Sequence, residues 1–66
     1  MSLMVNGRAE PLPAPATLEG LVDALHLTGQ RLAIEHNSQI VPRSLWDTTP
    51  VADEDRIEIV KAIGGG

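Results

Sequence analysis

Three consecutive glycines, Gly64-Gly65-Gly66, close the sequence and make up half of its six glycines. A glycine at a chain end carries no side chain that shields its carboxylate, and its glycine neighbours adopt almost any backbone conformation. Such an end threads into a narrow active site of another protein, where the carboxylate itself can react. The alternative is a frayed end without a role, because chain termini are often disordered. The apolar, strand-like segment directly before the glycines favours the reactive carboxylate.

The composition excludes several classes of protein. A chain of 66 residues forms one small domain, residues 1–66, with little room for a deep catalytic cleft. Without cysteine it has no disulfide, thiolate nucleophile or zinc-thiolate site. Nine acidic against five basic residues give a net charge of −4, which disfavours nucleic acid and favours a positively charged protein partner. No signal-peptide pattern and no apolar stretch of about 20 residues occurs, so we expect a cytoplasmic location and no membrane contact.

The first part of the chain predicts a β-hairpin that leads into a connector. Residues 2–5 alternate in the manner of a strand, and Asn6-Gly7 suits a type I′ turn because both turn positions need a positive φ. Residues 8–12 are the expected return strand, in which Pro11 marks a sheet edge because proline cannot donate to a ladder. The prolines of residues 13–15 then exclude helix.

An amphipathic helix follows the connector. Thr17 is the expected N-cap, and Gly29 is the expected stop. The apolar stripe of the helix has the spacing i, i+3, i+4 and i+7. Its members are Leu18, Leu21, Val22 and Leu25. Gly20 stands at the third helical position, where a glycine lowers helix propensity and a capping-box glutamate is missing.

The second half of the chain predicts three more strands. In chain order we expect a strand over residues 31–36, a turn at Asn37-Ser38, a short strand at Ile40-Val41, a helical turn over residues 43–46, a polar turn over residues 53–55 and a last strand over residues 56–60. One helix laid across a mixed sheet is the compact way to bury a single apolar stripe. We therefore predict an α+β fold, with residues 62–66 as a flexible C-terminal tail.

Several short motifs occur within this order of elements. They are Asn6-Gly7, Ala16-Thr17-Leu18, Ile40-Val41-Pro42-Arg43, Trp46, the run from Asp55 to Val60, and Gly64-Gly65-Gly66. With these motifs the chain resembles the sulfur carrier proteins of thiamine biosynthesis over essentially its whole length. That family has the ubiquitin-like β-grasp fold. The glycine end alone would also fit the small subunit of molybdopterin synthase and the ubiquitin-like modifiers.

The resemblance implies a carrier that is modified by enzymes rather than an enzyme. An E1-like adenylyltransferase is expected to activate the carboxylate of Gly66 with ATP and magnesium, and the carrier itself binds no cofactor. Sulfur from a cysteine desulfurase relay would then give a thiocarboxylate on Gly66, which thiazole synthase would use for the thiazole ring of thiamine. The carrier is expected to be a monomer when free.

Recognition by these partners is expected at the tail and beside it. Ile63, Gly64 and Gly65 are the residues that a narrow active site would hold. On the exposed sheet face near Ile63, Arg43 and Glu58 are the candidate polar contacts with a partner.

Three residues depart from the family pattern. Glu54 stands where relatives usually have glycine, which predicts another turn type or local strain. Ser38 replaces the glycine of a more usual Asn-Gly pair, and His36 lies where a small or apolar residue is common. None of them lies in the glycine end, so they bear on local geometry more than on function.

Other polar residues carry weaker signals. His26 and His36 lack the converging ligands of a metal site, and residues 53–55 lack the spacing of a calcium loop, so no metal site is predicted. Trp46 is predicted to be a core residue. Arg43 and Arg56 either bind acidic partner residues or lie on the surface without a role. Two alternatives to a thiamine carrier stay open: a sulfur carrier for molybdopterin or another product, and a β-grasp interaction module with an inert end.

Overall fold

A computed structural model describes residues 1–62 of the chain. The tail sites predicted at Ile63, Gly64, Gly65 and Gly66 lie outside the described residues. The elements, in chain order, are β1 (Ser2–Val5), β2 (Arg8–Pro11), α1 (Leu18–Ala24), β3 (Leu32–His36), β4 (Gln39–Val41), a 3₁₀ helix (Arg43–Leu45) and β5 (Arg56–Lys61). The strands form one sheet in the order β2-β1-β5-β3-β4. Strands β1 and β5 are parallel and the other neighbours antiparallel, which confirms the predicted mixed sheet with one helix.

The hairpin predicted at Asn6-Gly7 and the turn predicted at Asn37-Ser38 are both present. Asn6 and Gly7 have φ values of 52° and 82°, and they join β1 to β2 as predicted. Asn37 and Ser38, with φ values of 50° and 73°, join β3 to β4 in the same way. Glu54 also has a positive φ, at 71°. Ser38 and Glu54, which stand where relatives usually have glycine, therefore both adopt the left-handed backbone conformation. This conformation costs a residue with a Cβ atom about 1–2 kcal/mol.

The helix begins where predicted and ends earlier than predicted. The hydroxyl oxygen of Thr17 accepts a hydrogen bond from the Gly20 N–H at 3.0 Å, as expected of an N-cap. The last helical residue is Ala24, so the prediction of Gly29 as the stop is wrong. His26 takes the left-handed conformation, with a φ of 60°, and ends the helix.

A Schellman motif explains why His26 can replace a glycine at this position. The His26 N–H donates to the Asp23 carbonyl at 3.1 Å, and the Leu27 N–H donates to the Val22 carbonyl at 3.0 Å. The Leu27 side chain packs against the core that contains Val22. These two hydrogen bonds and the apolar contact offset the steric cost of a left-handed histidine.

Gly20 permits a close approach between the helix and the connector. A Cβ atom built at this position would lie 2.0 Å from the carbonyl oxygen of Pro15. Tertiary packing that leaves no room for a side chain therefore explains why a residue of low helix propensity occupies position 20.

The core lies between the helix and one face of the sheet. Its buried members are Leu3, Val5, Leu18, Leu21, Val22, Ile34, Trp46, Val51, Ile57 and Ile59. The predicted packing of the helix stripe on β3 and β5 is confirmed, with Leu25 and Leu32 only partly buried at its margin. Trp46 is 1% exposed, and its indole N–H donates to the Val41 carbonyl at 2.9 Å. Its predicted place in the core is confirmed.

Candidate functional site

The described part of the chain ends just after β5, which is the central strand of the sheet. Strand β5 lies between β1 and β3, and Lys61 at its end pairs with Leu32. The Ala62 N–H donates to the Arg31 carbonyl at 2.9 Å, so the backbone is still attached to the sheet one residue beyond the strand. Four residues follow Ala62 in the sequence, and a fully extended chain of four residues spans at most about 14 Å. We call the surface around Ala62 the tail root.

Arg43 lies at this end of the sheet and is engaged within the domain. Its guanidinium donates to the carbonyl of Gln30, the residue before Arg31, and lies 4.6 Å from the centre of the Trp46 ring. An arginine over an indole face gains about 0.5–2 kcal/mol from the ring quadrupole. Arg43 therefore attaches the 3₁₀ helix to the loop before β3, and its contact with a partner stays a prediction.

The sheet face opposite the helix carries exposed apolar side chains. Met4, Ile40 and Val60 are 37%, 76% and 60% exposed. A groove of about 270 Å³ opens on this face, lined by Met4, Gly7, Arg56, Ile57 and Glu58. Apolar side chains and a shallow groove on one face are features that suit contact with another protein.

Glu58 projects from the middle of this open face. It lies directly opposite Glu35 of β3, and Glu35 in turn lies opposite Ile40 of β4. Within residues 1–62 neither carboxylate takes part in a salt bridge. Two like charges on directly opposed strand residues destabilise a sheet by about 0.2–1 kcal/mol. The contact of Glu58 with a partner, like that of Arg43, stays a prediction.

His36 forms a structural link between β3 and the turn before β5. Its Nε2 lies 2.8 Å from Oδ2 of Asp55, which also accepts from the Ala52 N–H at 2.9 Å. The other carboxylate oxygen, Oδ1, accepts from the Asn37 side-chain amide at 3.2 Å. Partial burial raises the pKa of Asp55, but the hydrogen bonds and the charge of His36 outweigh it and hold that pKa below its ordinary value of 3.8. Within residues 1–62 no three potential metal-ligating side chains converge.

Sequence reasoning missed the role of the Asn6 side chain. Its amide oxygen accepts from the Ile59 N–H at 2.8 Å, and its amide nitrogen donates to the Ile59 carbonyl at 3.0 Å. The side chain thus pairs with β5 as a strand backbone would, beyond the end of β1. An Asn-Gly pair signals only the turn, because the distant partner is not visible in the local sequence.

Comparison with known proteins identifies the family. Residues 3–66 match the ThiS family. The chain belongs to the ThiS family. It is 33% identical over 66 residues to the sulfur carrier protein ThiS of Escherichia coli K12, with both chains covered in full. The crystal structure of the thiamine biosynthesis protein ThiS from Geobacter metallireducens matches with a TM-score of 0.81 and 29% identity over all of both chains. The ubiquitin-like β-grasp fold is confirmed.

Membership of the ThiS family makes the chain a sulfur carrier of thiamine biosynthesis and not a catalyst. A thiazole synthase of Paramagnetospirillum magneticum is also similar, at 39% identity over 66 residues. The chain spans only 20% of the length of that protein. The part of the chain that the structure describes has no helix of the length and hydrophobicity that a bilayer crossing requires.

Proposed function

We propose that the carboxylate of Gly66 is the group that carries sulfur. An E1-like adenylyltransferase joins it to the AMP part of ATP, with magnesium, and releases pyrophosphate. A persulfide sulfur from a cysteine desulfurase relay then displaces AMP and forms an acyl disulfide. A second thiol of the relay cleaves this disulfide, becomes disulfide-bonded itself, and leaves a thiocarboxylate on Gly66. The observation that carries this proposal is the family match, which extends to Gly66 and covers the E. coli carrier over its full length.

The geometry of the tail root supports a division of labour between the carrier and its partners. Strand β5 is hydrogen-bonded on both sides, and the Ala62 backbone is attached to Arg31. The reach of about 14 Å from Ala62 lets a carboxylate enter a partner's active site while the folded domain remains outside. ATP and magnesium are bound by the adenylyltransferase, and the carrier needs no cofactor of its own.

Thiazole synthase is the proposed acceptor of the sulfur. Two curated thiazole synthases, from P. magneticum and Magnetococcus marinus, contain a segment 39% and 35% identical to the whole of this chain. The presence of a carrier-like segment and a thiazole synthase in one polypeptide supports a direct interaction between a carrier and a synthase. The open face, with Glu58 beside apolar Met4 and Val60, is the proposed contact surface for both enzymes, and we place the reaction in the cytoplasm.

Intact-protein mass spectrometry tests the chemistry directly. The carrier is incubated with adenylyltransferase from the same organism, ATP, magnesium and a sulfur donor. We expect a mass gain equal to one oxygen-to-sulfur exchange, located on Gly66 by fragmentation. Release of pyrophosphate in the same reaction distinguishes a carrier from an interaction module with an inert end.

Variants of the glycine end provide the controls. Deletion of Gly65 and Gly66, or addition of one bulky residue, is expected to abolish sulfur transfer. Gly65→Val is expected to act similarly, because a branched side chain adds bulk and restricts the backbone. All three variants are expected to unfold at the temperature of the unmodified protein, since the described core ends at Ile59. A truncated carrier that still acquires sulfur contradicts the proposal, as does an intact carrier that never does.

A further inference from the structure

Three of the five basic residues surround the tail root. The carbonyl of Arg31 holds the Ala62 N–H. Lys61 is paired across the sheet with the residue after Arg31. Arg43 donates to the carbonyl of the residue before Arg31. All three side chains belong to exposed residues, and we call them the basic collar.

Acidic residues lie at the other end of the same strand. The acidic turn, residues 53–55, directly precedes Arg56 at the start of β5. Because the residues of β5 each rise roughly 3.3 Å, the acidic turn before the strand lies roughly 20 Å from Lys61 at its other end. Within residues 1–62 no carboxylate forms a salt bridge with the collar. Positive charge is thus concentrated at the tail root of a chain whose net charge is −4.

We propose that the basic collar docks on acidic residues that surround the entrance of the adenylyltransferase active site. This inference rests on the proposed function, because it assigns the tail root to the enzyme that activates Gly66. With Gly66 in the active site, up to about 14 Å of chain separates the reacting carboxylate from Ala62. At full extension the collar lies at the mouth of the site, away from the ATP phosphates. Carboxylates of the enzyme surface are therefore the groups that it meets.

Salt screening makes this contact compatible with the net negative charge of the carrier. At physiological ionic strength the Debye length is about 8 Å, so charges more than two such lengths from the interface contribute little. The acidic turn, roughly 20 Å away along β5, lies beyond that range. Charges at the rim of an interface chiefly change the association rate constant and its dependence on salt. The collar therefore orients the carrier so that its tail meets the entrance first.

Charge-reversal variants with a matched control test the collar. Arg31→Glu and Lys61→Glu remove positive charge at the tail root, whereas Arg8→Glu makes the same change in net charge on the edge strand β2. Association with the adenylyltransferase is followed by stopped-flow at low salt, about 0.05 M NaCl, and at high salt, about 0.5 M NaCl, where surface charges are more strongly screened. We expect Arg31→Glu and Lys61→Glu each to lower the association rate constant about three- to tenfold at low salt. The difference in rate between these variants and the native chain shrinks at high salt. The conservative variant Lys61→Arg keeps the positive charge and is expected to associate at the native rate.

The outcomes separate this inference from the proposed function. If Arg8→Glu slowed association as much as the collar variants, the net charge of the carrier rather than the basic collar would control the rate. Unchanged rates for Arg31→Glu and Lys61→Glu would overturn the proposed role of the collar. In both cases the intact carrier still releases pyrophosphate, so the proposed function stands. An intact carrier that binds the enzyme but never releases pyrophosphate overturns the proposed function and the collar together. Thermal unfolding verifies that each variant is folded.

Discussion

Replacement of Gly20 by alanine sets helix propensity against tertiary packing. In a helix interior, alanine is more favourable than glycine by about 1 kcal/mol. The structure predicts the opposite sign here, because the new Cβ atom would lie 2.0 Å from the Pro15 carbonyl oxygen. Ordinary contacts of a Cβ atom begin at 3.4 Å, so the helix and the connector must separate by more than an ångström. The obstacle is backbone and cannot rotate away.

The size of the effect follows from what this separation disturbs. Overpacking of a filled interior costs about 1–3 kcal/mol. The Pro15 carbonyl also accepts a hydrogen bond from the Thr17 N–H at 2.9 Å, a bond that contributes about 1 kcal/mol. The Thr17 cap on the Gly20 N–H contributes about 1 kcal/mol more. After the gain in propensity, we expect Gly20→Ala to lower the free energy of unfolding by about 2–4 kcal/mol, a large part of the roughly 3–10 kcal/mol typical of a domain of this size.

Urea unfolding followed by tryptophan fluorescence measures this change. Trp46 is the only tryptophan and is 1% exposed, so its emission reports loss of the core. Ala24→Gly, at an exposed position of the same helix, is the matched control, and we expect it to cost about 1 kcal/mol through propensity alone. An increase in stability on Gly20→Ala would refute the close approach of the helix to Pro15.

Three further predictions concern the turns and the open face. Ser38→Gly is expected to raise the free energy of unfolding by about 1 kcal/mol in urea titrations, because the position has a φ of 73°; unchanged stability would contradict a left-handed turn. Asp55 has a lowered pKa in the folded state, so its contribution to stability is present above 3.8 and is lost as the pH falls through its folded pKa. Stability measured from about pH 5 to about pH 2 is therefore expected to fall less steeply in Asp55→Asn than in the native chain, and equal slopes would count against the His36 link. Glu58→Lys is expected to raise the free energy of unfolding by a few tenths of a kcal/mol, because position 58 lies opposite Glu35. Calorimetry is expected to show that this variant binds both enzymes more weakly, and unaltered affinity would remove Glu58 from the interface.

The sequence by itself determined the elements whose signals are local. Alternation of apolar residues indicated β1, β3 and β5, and the stripe from Leu18 to Leu25 indicated the helix, because side-chain burial in each element follows its own period. Asn6-Gly7 indicated a hairpin, since that dipeptide adopts positive φ values at little cost. Family motifs along the whole chain pointed to a sulfur carrier, and the family match confirms this role.

Other features were decided only by the tertiary structure. The stop at His26 depends on hydrogen bonds to the preceding turn and on the contact of Leu27 with the core, and these outweigh the usual preference for glycine. The need for a glycine at position 20 depends on a connector that packs across the helix start. Glu35 and Glu58 are 23 residues apart in the sequence and become neighbours only through the register of β3 and β5. The basic collar, likewise, brings together residues from three separate segments. Such juxtapositions depend on contacts between distant parts of the chain, which no local pattern of residue types encodes.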